Sequence, residues 1–138
     1  MMHSLVTGGA GFIGSHLVDA LVARGDRVSV LDNLSSGSLD FLAGVRGSIE
    51  FHELDLLDED FDVHLADVDI IWHLSANPEV RTGIDAPEVM FRQSVDATRC
   101  VLAAMARCGV RDLVFTSTST VYGEASVVPT PEDYAPLA

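Results

Sequence analysis

Thr7-Gly8-Gly9-Ala10-Gly11-Phe12-Ile13-Gly14-Ser15-His16-Leu17 is the stretch whose reading decides the fold. An apolar run over Ser4 to Val6 leads into it, and an amphipathic pattern follows, with Ile13, Leu17, Val18, Leu21 and Val22 on one predicted helix face and a stop at Arg24-Gly25. Strand, glycine turn and helix in that order are the setting a phosphate-binding glycine motif requires. The glycines read either as Gly9-x-Gly11-x-x-Gly14 or as Gly8-x-x-Gly11-x-x-Gly14. In both readings one glycine makes the tight turn, one admits a pyrophosphate close to the backbone, and one lets the helix pack near the strand. Unpaired N–H groups and the positive end of the helix dipole then face the phosphates.

Working outward, a second strand is expected over Arg27 to Leu31, ending at Asp32, 18 positions after Gly14. A carboxylate about 20 residues past the motif is placed to accept hydrogen bonds from an adenosine ribose. Asp32-Asn33 also suits a simple turn. An acid there disfavours the 2′-phosphate of NADP, and no basic residue follows within ten positions, so NAD is the expected cofactor.

Further strands are expected over Ile49 to Leu54, Asp69 to Leu74 and Asp112 to Phe115. Asn33 to Gly47 reads as a polar loop with a short helical turn at Leu39 to Leu42, and Asp58 to Asp67 as an acidic loop or solvated helix. A long helix is expected from about Ala86 to Arg107, with Val95, Val101, Leu102 and Met105 at core spacing and Gly109 closing it. Alternating strands and helices predict an α/β fold: a doubly wound parallel sheet of order 3-2-1-4-5, with ligands bound outside the carboxyl ends of the strands. After residue 123 the chain reads as an irregular tail, interrupted by Pro129, Pro131 and Pro136. The expected division is therefore a dinucleotide-binding domain over 1–123 and a tail over 124–138.

Bulk composition narrows the function classes. The 138 residues carry a formal charge of −13, which disfavours nucleic acid and anionic membranes as partners. No apolar run approaches the ~20 residues of a membrane span, and no basic-then-apolar leader begins the chain, so a cytoplasmic protein is expected. Cys100 and Cys108 fall on one predicted helix about 12 Å apart at ~1.5 Å per residue, too far for a disulfide; buried, reduced thiols are expected. All eight basic residues are arginine. Lysine and glutamate enrichment marks hyperthermophile chains, so a salt-adapted or high-GC source fits this composition better.

The residues quoted above, with Leu31-Asp32-Asn33-Leu34-Ser35-Ser36-Gly37, Asp55-Leu56, His73-Leu74-Ser75-Ala76 and Thr116 to Gly123, resemble the N-terminal part of an extended short-chain dehydrogenase/reductase. The group is the NAD-dependent epimerase/dehydratase family, and within it the chain is most similar to UDP-glucose 4-epimerases. The resemblance implies a Rossmann-type fold. It also implies NAD held by Gly8, Gly11, Phe12, Ile13 and Gly14 at the pyrophosphate, by Asp32 and Asn33 at the ribose, and by Asp55 and Leu56 at the adenine. Leu74, Ser75 and Ala76 would line the way to the nicotinamide. Thr118 matches the catalytic Ser/Thr that hydrogen-bonds the sugar 4-oxygen, Thr120 and Tyr122 follow it, and Pro78, Glu79 and Arg81 would stand at the substrate rim. His16 and His73 read as structural, and no spacing suggests a metal. A UDP-sugar substrate and a homodimer are further implications.

Two departures from the family pattern stand out. Ser94 and Ala97 replace the asparagine and glycine of an Asn–Val–x–Gly–Thr pattern. The family's tyrosine base has a lysine four residues later, and this chain contains no lysine. These 138 residues are therefore expected to be an N-terminal fragment, itself inactive. The related 4,6-dehydratases carry Asp-Glu where Ser119-Thr120 stands here, which favours epimerisation; a UDP-glucuronate epimerase or decarboxylase is the alternative. Two other classes are alternatives: a stand-alone, non-catalytic NAD-binding module, and a flavodoxin-like or receiver-like domain with an incidental glycine turn.

Overall fold

A computed structural model describes residues 1–57, 60–79 and 82–134. Five strands form one all-parallel sheet: β1 (His3–Thr7), β2 (Arg27–Asp32), β3 (Ile49–Glu53), β4 (Ile70–His73) and β5 (Asp112–Phe115). Their spatial order is β3-β2-β1-β4-β5, as the alternation of strand and helix predicts. Thr7 at the end of β1 lies level with Leu31 of β2 and His73 of β4. The glycine turn therefore starts at the centre of the sheet's carboxyl edge.

Alternate residues on each strand point to opposite faces, and each face has its own core. Leu5, Leu31 and Ile71 pack with Val101, Ala104 and Met105 on one side. Val6, Val28 and Val30 pack with Val18, Leu21 and Leu42 on the other. Both clusters bury their side chains almost completely, at about 1.5–3 kcal/mol for each large aliphatic group relative to exposure. A central strand covered on both faces must find partners for its polar side chains. In β1 all five residues are buried; the His3 ring meets Ser29 Oγ at 2.8 Å, and the Ser4 hydroxyl donates to Asp26 at 2.8 Å.

The first long helix, α1 (Phe12–Arg24), closes at Gly25, whose φ of 92° lets its N–H reach the carbonyls of Leu21 and Val22. Its buried face is Gly14, Ser15, Val18 and Leu21. Ile13, expected on that face, is 68% exposed. The first turn of α1 projects beyond the ends of the strands, so no sheet lies beneath Ile13.

The expected long helix over 86–107 is present as an uninterrupted helical run over 87–108, though not as a uniform α-helix. Two short helices, α2 (Thr82–Asp85) and α3 (Pro87–Met90), precede a π-helical turn at Phe91–Asp96 and then α4 (Ala97–Cys108). The Ala97 N–H reaches back to the Arg92 carbonyl, five residues earlier. The wider turn shifts the phase of everything before α4. Val101 and Met105 face the core as expected, whereas Val95 and Leu102 are half exposed, at 50% and 49%. Gly109 closes α4 with φ 78°. Both cysteines are free, but Cys100 is only half-buried and Cys108 is exposed and not buried as expected, because it is the last residue of α4, one turn past the buried Met105.

Short 3₁₀ turns occupy Leu39–Leu42, Asp62–Leu65 and Ser119–Tyr122. Residues 124–134 contain no helix or strand. Arginines pair on the surface as Arg24–Asp26, Arg27–Glu50 and Arg107–Asp62; solvent screens such pairs, so they contribute little to stability. Among the described residues, no helix is long and apolar enough to cross a membrane, and no group of three or more His, Cys, Asp or Glu could hold a metal.

Candidate functional site

At the carboxyl edge of the sheet, an elongated cleft of about 630 Å³ runs from the end of β3, over the start of α1, to the end of β4 and Thr116 after β5. The turn between β1 and α1 forms its floor, and three glycines have distinct duties there. Gly8 has φ +73°, and a Cβ on it would come within 2.8 Å of the Ser75 nitrogen. It is both the turn residue and the point where the β4 segment closes on the turn. A Cβ on Gly14 would overlap the Gly8 carbonyl oxygen and meet the Gly9 Cα at 2.8 Å, so Gly14 is what lets α1 sit against the turn. A Cβ on Gly11 would meet only the Gly8 oxygen, at 3.2 Å; its open side is the cleft.

Gly11 caps α1 without any side-chain hydrogen bond. The first N–H groups of a helix have no partner within it, and here Gly11, Phe12, Ile13 and Gly14 all line the cleft. An anion seated there would meet donors and the positive end of the helix dipole. Of the two glycine spacings, Gly8–Gly11–Gly14 accounts for all three duties. Gly9 is filled from behind, where a Cβ would strike Val30 Cγ1 at 2.6 Å.

Asp32 ends β2 and is 8% exposed. One carboxylate oxygen accepts from the Ala10 N–H at 2.9 Å and the other from the Leu34 N–H at 2.8 Å. The acid thus holds the glycine turn and its own turn together. Each oxygen retains a second lone-pair direction, and the residue lines the cleft. Next to it, the Asn33 amide donates to Asp55 at 2.8 Å, while Asp55 also accepts from the Leu57 N–H at 2.9 Å. Leu54 and Leu56 supply an apolar wall at this end.

The opposite end is made by Leu74, Ser75 and Ala76. Asn77 lies beyond them, and its amide donates to Gln93 of the π-helical turn at 2.5 Å. His73 lies beneath, 1% exposed, between Thr7 at 2.7 Å and Thr98 at 2.9 Å. Burial pushes its imidazole down to a pKa of about 4, so it is neutral at pH 7.

The cleft gathers Gly8, Gly11, Phe12, Ile13, Gly14, Asp32, Asn33, Asp55, Leu56, Leu74, Ser75 and Ala76, with Pro78 and Glu79 at its edge. Thr118 and Thr120 are not in its lining. They are exposed past β5, where the Thr118 hydroxyl caps the 3₁₀ turn by accepting from the Thr120 N–H at 3.3 Å. Arg81 lies outside the described residues. Sequence reasoning missed Asn77, Gln93 and Thr116 as lining residues. The π-helical turn that aims Gln93 at the cleft leaves no signal in hydrophobic spacing.

The residues present suit a dinucleotide. The cleft is long, anion-friendly at its middle, acidic and apolar at one end, and open where a Cβ on Gly11 would intrude. Comparison with known proteins agrees. Residues 4–138 match the NAD dependent epimerase/dehydratase family. The chain is 41% identical over 137 residues to the UDP-glucose 4-epimerase of Mycolicibacterium smegmatis, covering 96% of this chain and 44% of that protein. A solved UDP-galactose 4-epimerase is 48% identical with a TM-score of 0.84, over 99% of this chain and 45% of its own. The Thermus thermophilus UDP-glucose 4-epimerase, solved as a complex with NAD, is 35% identical with a TM-score of 0.86, over 99% and 44%. The chain thus spans less than half the length of these relatives. With the sheet order, the glycine turn and the match over residues 4–138 in agreement, this chain belongs to the NAD dependent epimerase/dehydratase family.

Proposed function

We propose that this chain is the NAD-holding part of a sugar-nucleotide 4-epimerase that interconverts UDP-glucose and UDP-galactose. The observation that carries the reading is the convergence of twelve separately placed residues on one cleft whose floor opens at Gly11. The N–H groups at the start of α1 hold the pyrophosphate. Asp32 and Asn33 take the adenosine ribose, with Asp55 and Leu56 at the adenine. Leu74, Ser75 and Ala76 guide the nicotinamide toward the end of β5. NAD, when bound, supplies a hydride acceptor and then a hydride donor for C4 of the sugar. Thr118 hydrogen-bonds the sugar 4-oxygen, and Thr120 and Arg81 are further substrate contacts. Residues 1–123 are the cofactor domain, and 124–138 its tail.

A proton must leave the 4-hydroxyl as the hydride leaves C4, and a threonine hydroxyl is too weak a base to take it at neutral pH. The family's tyrosine depends on a lysine, and this chain has none, so the 138 residues alone bind NAD without turning over sugar. The exposed side chains of Phe91, Val95 and Leu102 support a homodimer through this helical face, which sedimentation would detect as twice the 14.8 kDa chain mass.

Calorimetric titration with NAD tests the core of the reading. Micromolar binding is expected, with weaker binding of NADP because Asp32 faces the 2′ position. Gly11→Val should abolish binding while leaving the melting temperature nearly unchanged, since its side chain enters the cleft and not the core. Unchanged affinity in that variant would refute the placement. Binding of NAD without any UDP-sugar binding, in protein isolated at 14.8 kDa from its cell, would favour a stand-alone NAD module instead.

A further inference from the structure

The surroundings of His73 determine which way its hydrogen bonds run. The Thr98 hydroxyl donates to the Ser94 carbonyl at 2.7 Å, and a carbonyl can only accept. Its one proton is therefore committed, and toward His73 Nε2, 2.9 Å away, Thr98 Oγ1 can only accept. The ring proton of the neutral imidazole must be on Nε2. Nδ1 then carries the lone pair, and Thr7 Oγ1, 2.7 Å away, must donate to it. That leaves the lone pairs of Thr7 for the Ser75 N–H, at a long 3.4 Å. One directed chain results: Ser75 N–H to Thr7, Thr7 to His73 Nδ1, His73 Nε2–H to Thr98, Thr98 to the Ser94 carbonyl.

This chain joins two walls of the cleft that no strand pairing connects. Ser75 lies in the segment after β4, two residues before Asn77. Ser94 lies in the π-helical turn, next to Gln93. The Asn77–Gln93 hydrogen bond spans the same gap at the surface of the cleft. The hydroxyl of Thr98 reaches four residues back, a bond that opens or bends a helix by competing for its carbonyl; here it sits at the junction of the π-helical turn and α4.

We propose that His73 is a positioning residue of the cofactor cleft, acting as the neutral Nε2–H tautomer to lock the segment after β4 against the π-helical turn and so set the Asn77–Gln93 spacing. As a statement about the cofactor it rests on the NAD reading above; as a statement about the tautomer and the two walls it does not. Few side chains can serve here. The position needs an acceptor and a donor on opposite sides of one rigid, uncharged group in a buried setting, and a carboxylate or an alkyl chain would leave Thr7 or Thr98 unpaired.

The test uses ¹⁵N spectroscopy of the imidazole with three proteins: wild type, Thr98→Val and Thr98→Ser. In wild type, Nε2 should show the protonated shift and Nδ1 the unprotonated one. Thr98→Val removes the acceptor for Nε2–H, so the ring should switch to the Nδ1–H tautomer and the Asn77 and Gln93 side-chain amide resonances should move. NAD affinity should fall about tenfold in that variant, the value of one hydrogen bond of about 1.4 kcal/mol. Thr98→Ser keeps the hydroxyl and should restore both the tautomer and the affinity. An Nδ1–H tautomer in wild type would overturn the proposal. So would Thr98→Val with the Asn77 and Gln93 resonances unmoved. If wild type binds no NAD, the cofactor reading fails, and the tautomer and amide resonances still decide whether His73 locks the two walls. The wild-type and Thr98→Ser spectra decide the tautomer even if Thr98→Val does not fold.

Discussion

The glycine turn after β1 and the threonine run after β5 leave the same carboxyl edge of one sheet, yet they are held in opposite ways. Every residue of β1 is buried, and the turn that follows is tied at Gly8 to Leu31, at Ala10 to Asp32 and, through Ser38, to Ala10 again. Closing contacts at Gly8 and Gly14 leave no room for a single methyl group. Along β5 only Leu113 is partly covered, and Val114 and Phe115 are 41% and 53% exposed. Among the described residues, Thr118 and Thr120 bond to each other at 3.0 Å and within their own turn. The first region is shaped by long-range packing and the second by a local turn. Substitutions should therefore spread in the first region and stay local in the second.

The largest effect is expected from Gly14→Val. Its side chain overlaps the Gly8 carbonyl, so α1 must move off the turn, at about 3 kcal/mol of stability, and NAD binding should be lost with it. Denaturant unfolding with parallel NAD titration checks both. A variant that unfolds like wild type would break the contrast drawn here.

Acid should come next. His73 has a folded-state pKa of about 4, below the ~6.5 of an unfolded histidine. Between those values the unfolded chain binds more protons, so this contribution is present in full above pH 6.5 and is lost as the pH falls toward 4. The shift corresponds to about 3 kcal/mol at most. Unfolding free energy measured from pH 7 to pH 4 should show this slope, and His73→Gln should flatten it.

Asp32→Ala leaves the Ala10 and Leu34 N–H groups without their acceptor. A loss of about 2 kcal/mol is expected, with weaker NAD binding; a variant as stable as wild type would mean that water replaces the carboxylate. The smallest effect belongs to Thr118→Val. The site is exposed and its bonds are local, so stability should change by less than about 0.5 kcal/mol and NAD affinity not at all. If Thr118→Val weakens NAD binding as much as Asp32→Ala does, the two regions are not held differently.

The glycine turn could be read in advance because its information is local. Gly8, Gly11, Gly14 and Asp32 stand at fixed spacings along the chain, and each spacing has one steric meaning once a strand precedes and a helix follows. The parts that could not be read depend on where a helix sits. Ile13 looked like core because periodicity assumes a sheet beneath the whole of α1. Val95 misses the core because a π-helical turn over Phe91–Asp96 changes the phase before α4, and Leu102 misses it because it follows the buried Val101 by one position, about 100° round the same helix. Cys108 lies seven residues after the buried Val101, on the same side of α4, but it is the last residue of the helix and is exposed there.

Strand order, the position of the glycine turn and the acid at the end of β2 were thus determined by the sequence alone: the first follows from the alternation of strands and helices along the chain, and the other two from spacing within the first βαβ unit. Only the tertiary structure decided the rest. Asp32 ties two turns, Asn77 finds Gln93, and His73 stands between Thr7 and Thr98. Apart from the local Asp32–Leu34 bond, these partners lie 16 to 66 residues apart in the chain, and hydrogen bonds over such separations are set by how helices pack on the sheet, which no local spacing encodes.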